Sequence, residues 1–269
     1  MKKVTLFLTL LFLLPIAALL VLSVLSPSFL TRLSERGVSA EGALSVSAEQ
    51  YLKAFSSQDF RLGMVSSLRI TGASVVLCTV VSLIVIAFVN QLPAFFQKLI
   101  LCLYFAAFLL PFQTVMLPVY KMIVSIGLYD SLWSVILLGA FSPAGPVVLF
   151  VWVRRIGQEQ YEAAALETNS ALTVFRHITL PQILPGIAVL TFLVFAQVWN
   201  MVEQPLILLQ TPYLRPLSTR LNDITSVDTN YTFAGAVLYS LPVLVLYSTA
   251  ALFLAKVLKK KAPGRNNLF

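Results

Sequence analysis

Charge is what this 269-residue chain has least of: only 11% of its residues are Asp, Glu, Lys or Arg, against about a quarter in soluble domains. So few charges cannot cover a water-facing surface, which excludes an ordinary soluble domain. There are two cysteines, Cys78 and Cys102. Both sit inside apolar runs, where cysteine behaves as a small hydrophobe, and they indicate neither a redox compartment nor a metal site. Histidine occurs once, as His177, in a basic segment where it reads as a surface residue rather than a catalyst. No G-x-x-x-x-G-K-[ST] phosphate loop, Ser/His/Asp set, metal cluster or paired-carboxylate site is present. No repeat or low-complexity tract divides the chain, so residues 1–269 read as one domain.

What is abundant is apolar: hydrophobic residues make up 58% of the chain and the mean hydropathy is +0.88. They gather in six runs, at about 4–26, 68–90, 99–124, 132–153, 183–203 and 231–256. Each approaches the roughly 20 residues a helix needs to cross a bilayer. Runs this long and uniform exclude the alternating strands of a barrel, and hydrocarbon leaves no other way to pair the backbone. The expected fold is therefore an all-α membrane protein with six transmembrane helices. The first run follows Lys2 and Lys3, as a signal peptide would. It is longer than a signal core and ends at Ser26-Pro27-Ser28 without an A-x-A site, so it reads as an uncleaved helix.

Basic residues orient the set. With the amino terminus inside, Lys2, Lys3, Lys98, Arg154, Arg155, Arg176, Lys256, Lys259, Lys260, Lys261 and Arg265 fall in cytoplasmic segments. Arg32, Arg36, Lys53, Arg61, Arg215 and Arg220 fall outside, in longer loops. Arg69 and Lys121, near external helix ends, can snorkel. The expected topology is N-in, C-in. The net charge of +8 thus flanks apolar segments and forms no basic stripe with interleaved aromatics, so nucleic acid is not an expected partner; lipid headgroups are.

Proline and glycine interrupt two spans: Pro111 and Pro118 in the third, and Pro143, Gly145 and Pro146 in the fourth. These residues can bend helices for packing or open a bundle around a pathway. Within the external segment 31–66, Ser47 to Phe55 reads as an amphipathic surface helix with Ala48, Tyr51, Leu52 and Phe55 as its apolar face. A second external segment covers 204–230. Near the outer end of the fifth run, Gln197, Asn200 and Glu203 recur at spacings of three, near enough to share a face. Polar groups there either cross-link helices and meet headgroups or face a water-filled route.

The one large cytoplasmic loop, 154–182, carries most information. It contains Tyr161-Glu162-Ala163-Ala164-Ala165-Leu166-Glu167 and, later, Ile178-Thr179-Leu180-Pro181 with Pro185 beyond. This reads as a short helix, a turn and a second short helix closed by prolines. Small residues permit close approach and acids suit a helix start, which makes the loop a docking element for a soluble partner.

On these residues the sequence resembles the permease subunits of ABC importers, whose cytoplasmic signature is E-A-A, three residues, G, nine residues, I-x-L-P. Glu162, Ala163 and Ala164 match its first part, and Ile178, Leu180 and Pro181 match its last at the family spacing. Thr168 stands where the family has glycine. A β-branched residue is ill suited to positive φ, so Thr168 is expected at negative φ. Thr168, Asn169 or Ser170 should then hold the turn by side-chain hydrogen bonds. Leu117-Pro118-Val119-Tyr120, Gly127-Leu128-Tyr129, Trp199-Asn200 with Pro205-Leu206, and Tyr51 with Ser66-Ser67-Leu68 resemble the smaller six-helix permease of maltose-type, carbohydrate-uptake systems; Ser66 replaces an asparagine.

The resemblance implies a type I ABC importer permease fold in a bacterial or archaeal cytoplasmic membrane. It implies a second permease, as a heterodimer, two ATPase subunits that carry ATP and Mg, and an extracytoplasmic solute-binding protein. The chain itself is then not an enzyme and binds no cofactor. Glu162, Ala163, Ala164, Thr168, Ile178, Leu180 and Pro181 form the ATPase-coupling set; Gln197, Asn200 and Glu203 are candidates for the sugar pathway. Amide-lined routes suit sugars, whose hydroxyls need replacement hydrogen bonds but no neutralising charge. The rival readings are a permease of the same superfamily for amino acids, polyamines or phosphate, a membrane-embedded enzyme, and a scaffold.

Overall fold

The computed structural model of the chain describes residues 16–25, 48–168, 170–221 and 232–260. Residues 4–15 of the first run, much of the segment 31–66, the end of the segment 204–230 and Asn169 lie outside them. The described residues fold mainly into helices. In chain order these are α1 (16–24), α2 (Glu49–Ser56), α3 (Gln58–Val89), α4 (Ala94–Leu109), α5 (Phe112–Ser125), α6 (Leu132–Ala140) and α7 (Ala144–Val153). They continue as α8 (Gln158–Glu167), α9 (Ala171–Val174), α10 (Leu180–Trp199), α11 (Glu203–Leu208), α12 (217–221) and α13 (Thr232–Lys260).

Among the described residues, four stretches are long and apolar enough to cross a membrane alone: Gln58–Val89, Leu132–Val153, Leu172–Trp199 and Thr232–Lys256. The third run does not form one straight span. Its halves, α4 and α5, meet at 99° across Leu110-Pro111, because Pro111 has no N–H to continue the helix. Pro118, by contrast, stays inside an unbroken α5. The fourth run is interrupted at Phe141–Pro143, between α6 and α7, where Pro143 has the same effect. The second run begins ten residues before position 68, at Gln58, so Arg69 lies within α3 rather than at its end. The gly-leu-tyr turn closes α5: Gly127 takes φ +72°. Its N–H bonds Val124 O at 3.0 Å and that of Leu128 bonds Ile123 O at 3.1 Å. This is the paired C-terminal closure that needs a residue without Cβ.

The chain divides into two compact units. Unit one covers residues 1–67 and 210–242. Here the expected amphipathic surface helix forms as α2, with Leu52 and Phe55 exposed on its apolar face, while Gln50 and Ala54 are buried. The reason is hydrogen bonding. Gln50 Nε2 donates to Leu22 O at 2.9 Å and Leu25 O at 2.7 Å, and its Oε1 accepts from Ala234 N at 3.4 Å. It thereby serves carbonyls at the end of α1 and an N–H in the first turn of α13, groups that a helix cannot satisfy internally. Ser23 Oγ donates to Leu20 O, so Tyr51 Oη donates to Ser23, 2.8 Å away. The segment 210–221 is fastened to α3. Ser67 Oγ accepts from Leu217 N at 2.8 Å and Ser66 Oγ donates to Tyr213 O at 3.1 Å. Buried Arg220 pairs with Asp59 at 2.8 Å and donates to Pro212 O. A Cβ on Gly63 would lie 3.0 Å from Arg220 Cδ, which is how close that segment comes.

Replacing Gln50 with leucine removes a donor and an acceptor but leaves their buried partners unpaired, at about 1–3 kcal/mol each. Purified Gln50→Leu protein is expected to melt at least about 5 °C lower than wild type, measured by fluorescence-detected thermal unfolding in detergent. An unchanged midpoint contradicts this role.

Unit two covers residues 68–209 and 243–269. Its core is the contact of α7 with α10, completed by α3 and α6. Small residues allow close backbone approach, as membrane helices require. A Cβ on Gly139 would lie 2.6 Å from Ser74 Oγ and 2.8 Å from Val198 Cγ2, and one on Gly186 would lie 2.5 Å from Trp152. Leu190, Val194, Val198 and Trp199 form the buried face of α10.

Candidate functional site

The first element of the site is the loop between α7 and α10, which the sequence marks as a candidate docking loop. Arg154 and Arg155 leave α7 folded over the Phe150 and Trp152 rings, at 4.9 Å and 4.4 Å. The same Trp152 packs on Gly186 of α10. Entry and exit of the loop are therefore gripped by the α7–α10 core. Glu162, Ala163 and Leu166 of α8 point outward, Leu166 with 91% of its surface exposed. Ala164 turns inward at 7%. Tyr161 and Thr179 join hydroxyls at 3.2 Å, and Gln182 Nε2 donates to Gln160 Oε1 at 2.5 Å.

Thr168 has φ −153° and ψ 139°, the extended conformation its branched side chain favours. Its hydroxyl accepts from Ser170 N at 3.2 Å, and Ser170 Oγ accepts from Thr173 N at 3.3 Å. Side chains thus hold the turn where the family pattern has glycine. The second helix is not closed by prolines. It runs from α9 through a π-turn, Phe175–Thr179, directly into α10. Leu180 N reaches back to Phe175 O, and this wider register accommodates Pro181, which has no N–H for the carbonyl four residues earlier. Ile178 and Leu180 are half-buried and Pro181 is exposed. A cavity of about 360 Å³ lies behind the loop, lined by Asn90, Gln91, Tyr161, Thr168, Phe175 and Thr179 among others.

The second element is polar. Gln197, Asn200 and Glu203 do not lie on one helix face: α10 ends at Trp199, Asn200 caps it, and Glu203 opens α11. The chain turn nevertheless brings all three around one pocket of about 280 Å³. All three side chains are exposed. Gln197 Oε1 accepts from buried Ser142 Oγ at 3.1 Å. Asn200 Nδ2 donates to Ala196 O at 2.8 Å. Both Glu203 carboxylate oxygens accept from Gln113 Nε2, at 2.9 and 2.8 Å. Sequence reasoning missed Gln113, Ser142 and Gln204, which join this region only through tertiary folding. It also missed Leu166 and Leu172, whose exposure becomes visible only when the loop is folded.

Several relatives share part of the chain. Over 108 residues it is 31% identical to the glucose import system permease protein GlcU of Saccharolobus solfataricus, covering 39% of this chain and 38% of that protein. It is 25% identical over 142 residues to the arabinooligosaccharides transport system permease protein AraQ of Halalkalibacterium halodurans, covering 52% and 51%. The chain thus spans about half or less of these curated relatives' length. A bacterial ABC transporter involved in the import of the acidic polysaccharide alginate superposes with a TM-score of 0.77 at 16% identity, over 94% of both chains. The fold is therefore that of such a transporter subunit. The family described as binding-protein-dependent transport system inner membrane component matches residues 81–259, a stretch that contains both the docking loop and the polar pocket. This multi-pass membrane chain belongs to that family of binding-protein-dependent transport system inner membrane components.

Proposed function

We propose that the chain is a membrane-spanning subunit of an ATP-driven importer that moves a sugar or oligosaccharide delivered by an extracytoplasmic binding protein. The observation that carries this reading is the docking loop. Glu162, Ala163 and Leu166 project from a helix whose two ends are anchored on the α7–α10 core, so force on the loop reaches the spans. The carbohydrate class is supported by the names of the matched glucose and arabinooligosaccharide permeases, over amino acids, polyamines or phosphate. The assembly has a second, different permease, two ATPase subunits that hold ATP and Mg, and the binding protein. It resides in a bacterial or archaeal cytoplasmic membrane, with six spans in N-in, C-in orientation. Gln197, Asn200 and Glu203 line the route at the permease–permease boundary.

Two experiments test this. Affinity purification of the tagged chain from cells that express its transport partners should recover an ABC ATPase, and vesicles of that assembly should accumulate a labelled saccharide when given ATP inside. An assembly without an ATPase contradicts the reading. For orientation, single cysteines at Ser45 and Thr229, in a background lacking Cys78 and Cys102, should react with an impermeant thiol reagent in intact cells. One at Asn267 should not; labelling there overturns N-in, C-in.

A further inference from the structure

Three helix interruptions meet at one place in unit two. The bend at Leu110-Pro111, the break at Phe141–Pro143 and the end of α10 all border a single cavity of about 560 Å³. Its wall includes Leu110, Phe112, Phe141, Ser142, Gln197 and Gln204. This volume lies in the range, roughly 300–1,000 Å³, of pockets that hold small ligands. Gln197 and Gln204 also line the smaller pocket at Asn200 and Glu203, so the two spaces are neighbours.

Interrupted helices are costly within apolar spans. At these ends Leu110 N bonds Ala107 O, Phe141 N bonds Leu137 O, Ser142 N bonds Gly139 O, Ser74 Oγ bonds Ile136 O, and Asn200 N and Met201 N bond Ala196 O and Val198 O. The other last-turn carbonyls of a helix end need a donor from outside the helix. Non-helical backbone survives at membrane depth where it is buried in protein or lines a water-filled cavity. Three such ends bring non-helical backbone to one cavity, and Gln197 and Gln204 bring amide groups to it, while the Ser142 hydroxyl is taken up by Gln197. None of the described residues lining it is charged. The rings of Phe112 and Phe141 offer apolar faces. Neutral hydrogen-bonding groups set among aromatic faces match a saccharide ring, which has hydroxyls at its rim and C–H groups on its faces. An ionic solute finds no counter-charge here.

We propose that this cavity is a sugar-contact site held by this subunit itself, reached through the pocket of Gln197, Asn200 and Glu203. The proposal rests on the transport reading above and adds to it that this chain, and not its partners alone, touches the cargo. The test uses the complete assembly of both permeases, ATPase and binding protein. Val115→Cys and Gln204→Cys, both lining the cavity, are made in a background lacking Cys78 and Cys102. Each is reacted with a small, permanently charged methanethiosulfonate. Labelling should run about tenfold faster than at Leu103→Cys, on the exposed apolar surface of α4. Whichever of glucose, arabinotriose or alginate trisaccharide the assembly takes up should slow it at least about threefold. Labelling no faster than at Leu103→Cys means a dry cavity filled by lipid or helix, and overturns the site. Fast labelling without protection, while uptake persists, overturns it as well. Failure of the wild-type assembly to take up any of the three overturns the transport reading itself, and the sugar site with it.

Discussion

Cells carrying Glu162→Arg are expected to insert the chain normally, yet to lose ATPase from the purified assembly and saccharide uptake with it. The reasoning starts from where Glu162 sits. A helix-end acid can be explained by the macrodipole, which contributes about 0.3–1 kcal/mol and fades within the first turn. That position belongs to Glu159, in the first turn of α8. Glu162 lies in the second turn and projects outward beside exposed Ala163 and Leu166. Among the described residues its carboxylate makes no hydrogen bond or ion pair, and the small residue next to it lets another surface approach closely. On the partner reading, the carboxylate becomes half of a desolvated, hydrogen-bonded pair. Truncating such a pair costs about 2–5 kcal/mol, or roughly 30- to 4,000-fold in association at about 1.4 kcal/mol per tenfold. Reversing its charge adds repulsion. ATPase recovered per permease, by quantitative immunoblot, should fall at least about 30-fold, while membrane-inserted chain stays at wild-type level. Glu162→Gln, which keeps a hydrogen-bonding oxygen, should fall between the two. Wild-type uptake by Glu162→Arg would remove the coupling role.

Why the docking loop was so legible while other parts were not has a physical basis. Its signature depends on local spacing: acid, two small residues and a closing Ile-x-Leu-Pro are read along the chain, and the folded loop keeps that order. Even the departure at Thr168 could be anticipated, because a β-branched side chain restricts its own φ. The prolines misled at the second helix, because 181 and 185 were read as terminators. A π-turn upstream lets the helix pass through them, and residue spacing alone does not announce that shift in register. Span positions followed from hydropathy, which records burial in lipid or protein but not direction. It could place the third run without showing that Pro111 turns it by 99° while Pro118 does not. The same blindness affected α2, where Leu52 and Phe55 form the apolar stripe but Gln50 is buried. Periodicity detects apolar faces; it does not see carbonyls and N–H groups at the ends of other helices that need a glutamine. At the end of α10 a helical spacing of three was read across a helix terminus. The three residues still meet, because the chain turns at Asn200, so the grouping survived although its geometric reason changed.

The double replacement Gln197→Leu with Asn200→Leu is expected to separate transport from recruitment. Gln197 is exposed in the last turn of α10, and its carbonyl oxygen is held by Ser142 at 3.1 Å. Asn200 shares the neighbouring pocket, with its amide donating to Ala196 O. Neither side chain fills the core formed by Leu190, Val194 and Val198, so leucine at both sites removes polar function without opening a cavity. The folding cost is confined to the Ser142 hydroxyl, left without this acceptor, at about 1–3 kcal/mol. A passing sugar must exchange water for protein hydrogen bonds at each hydroxyl, and a lost amide in a desolvated route costs a similar 1–3 kcal/mol. Two lost amides then slow uptake by roughly 30-fold or more, at about 1.4 kcal/mol per tenfold. ATPase recovered with the assembly should remain at the wild-type level, since the docking loop is untouched. The control is Ser142→Ala, which removes the hydrogen bond to Gln197 but keeps both amides; it should lower the melting midpoint while uptake per folded assembly stays within about twofold of wild type. If Ser142→Ala reduces uptake as deeply as the double leucine variant, Gln197 acts through packing and not as a group that meets the sugar. If the double variant transports normally, Gln197 and Asn200 lie off the route altogether.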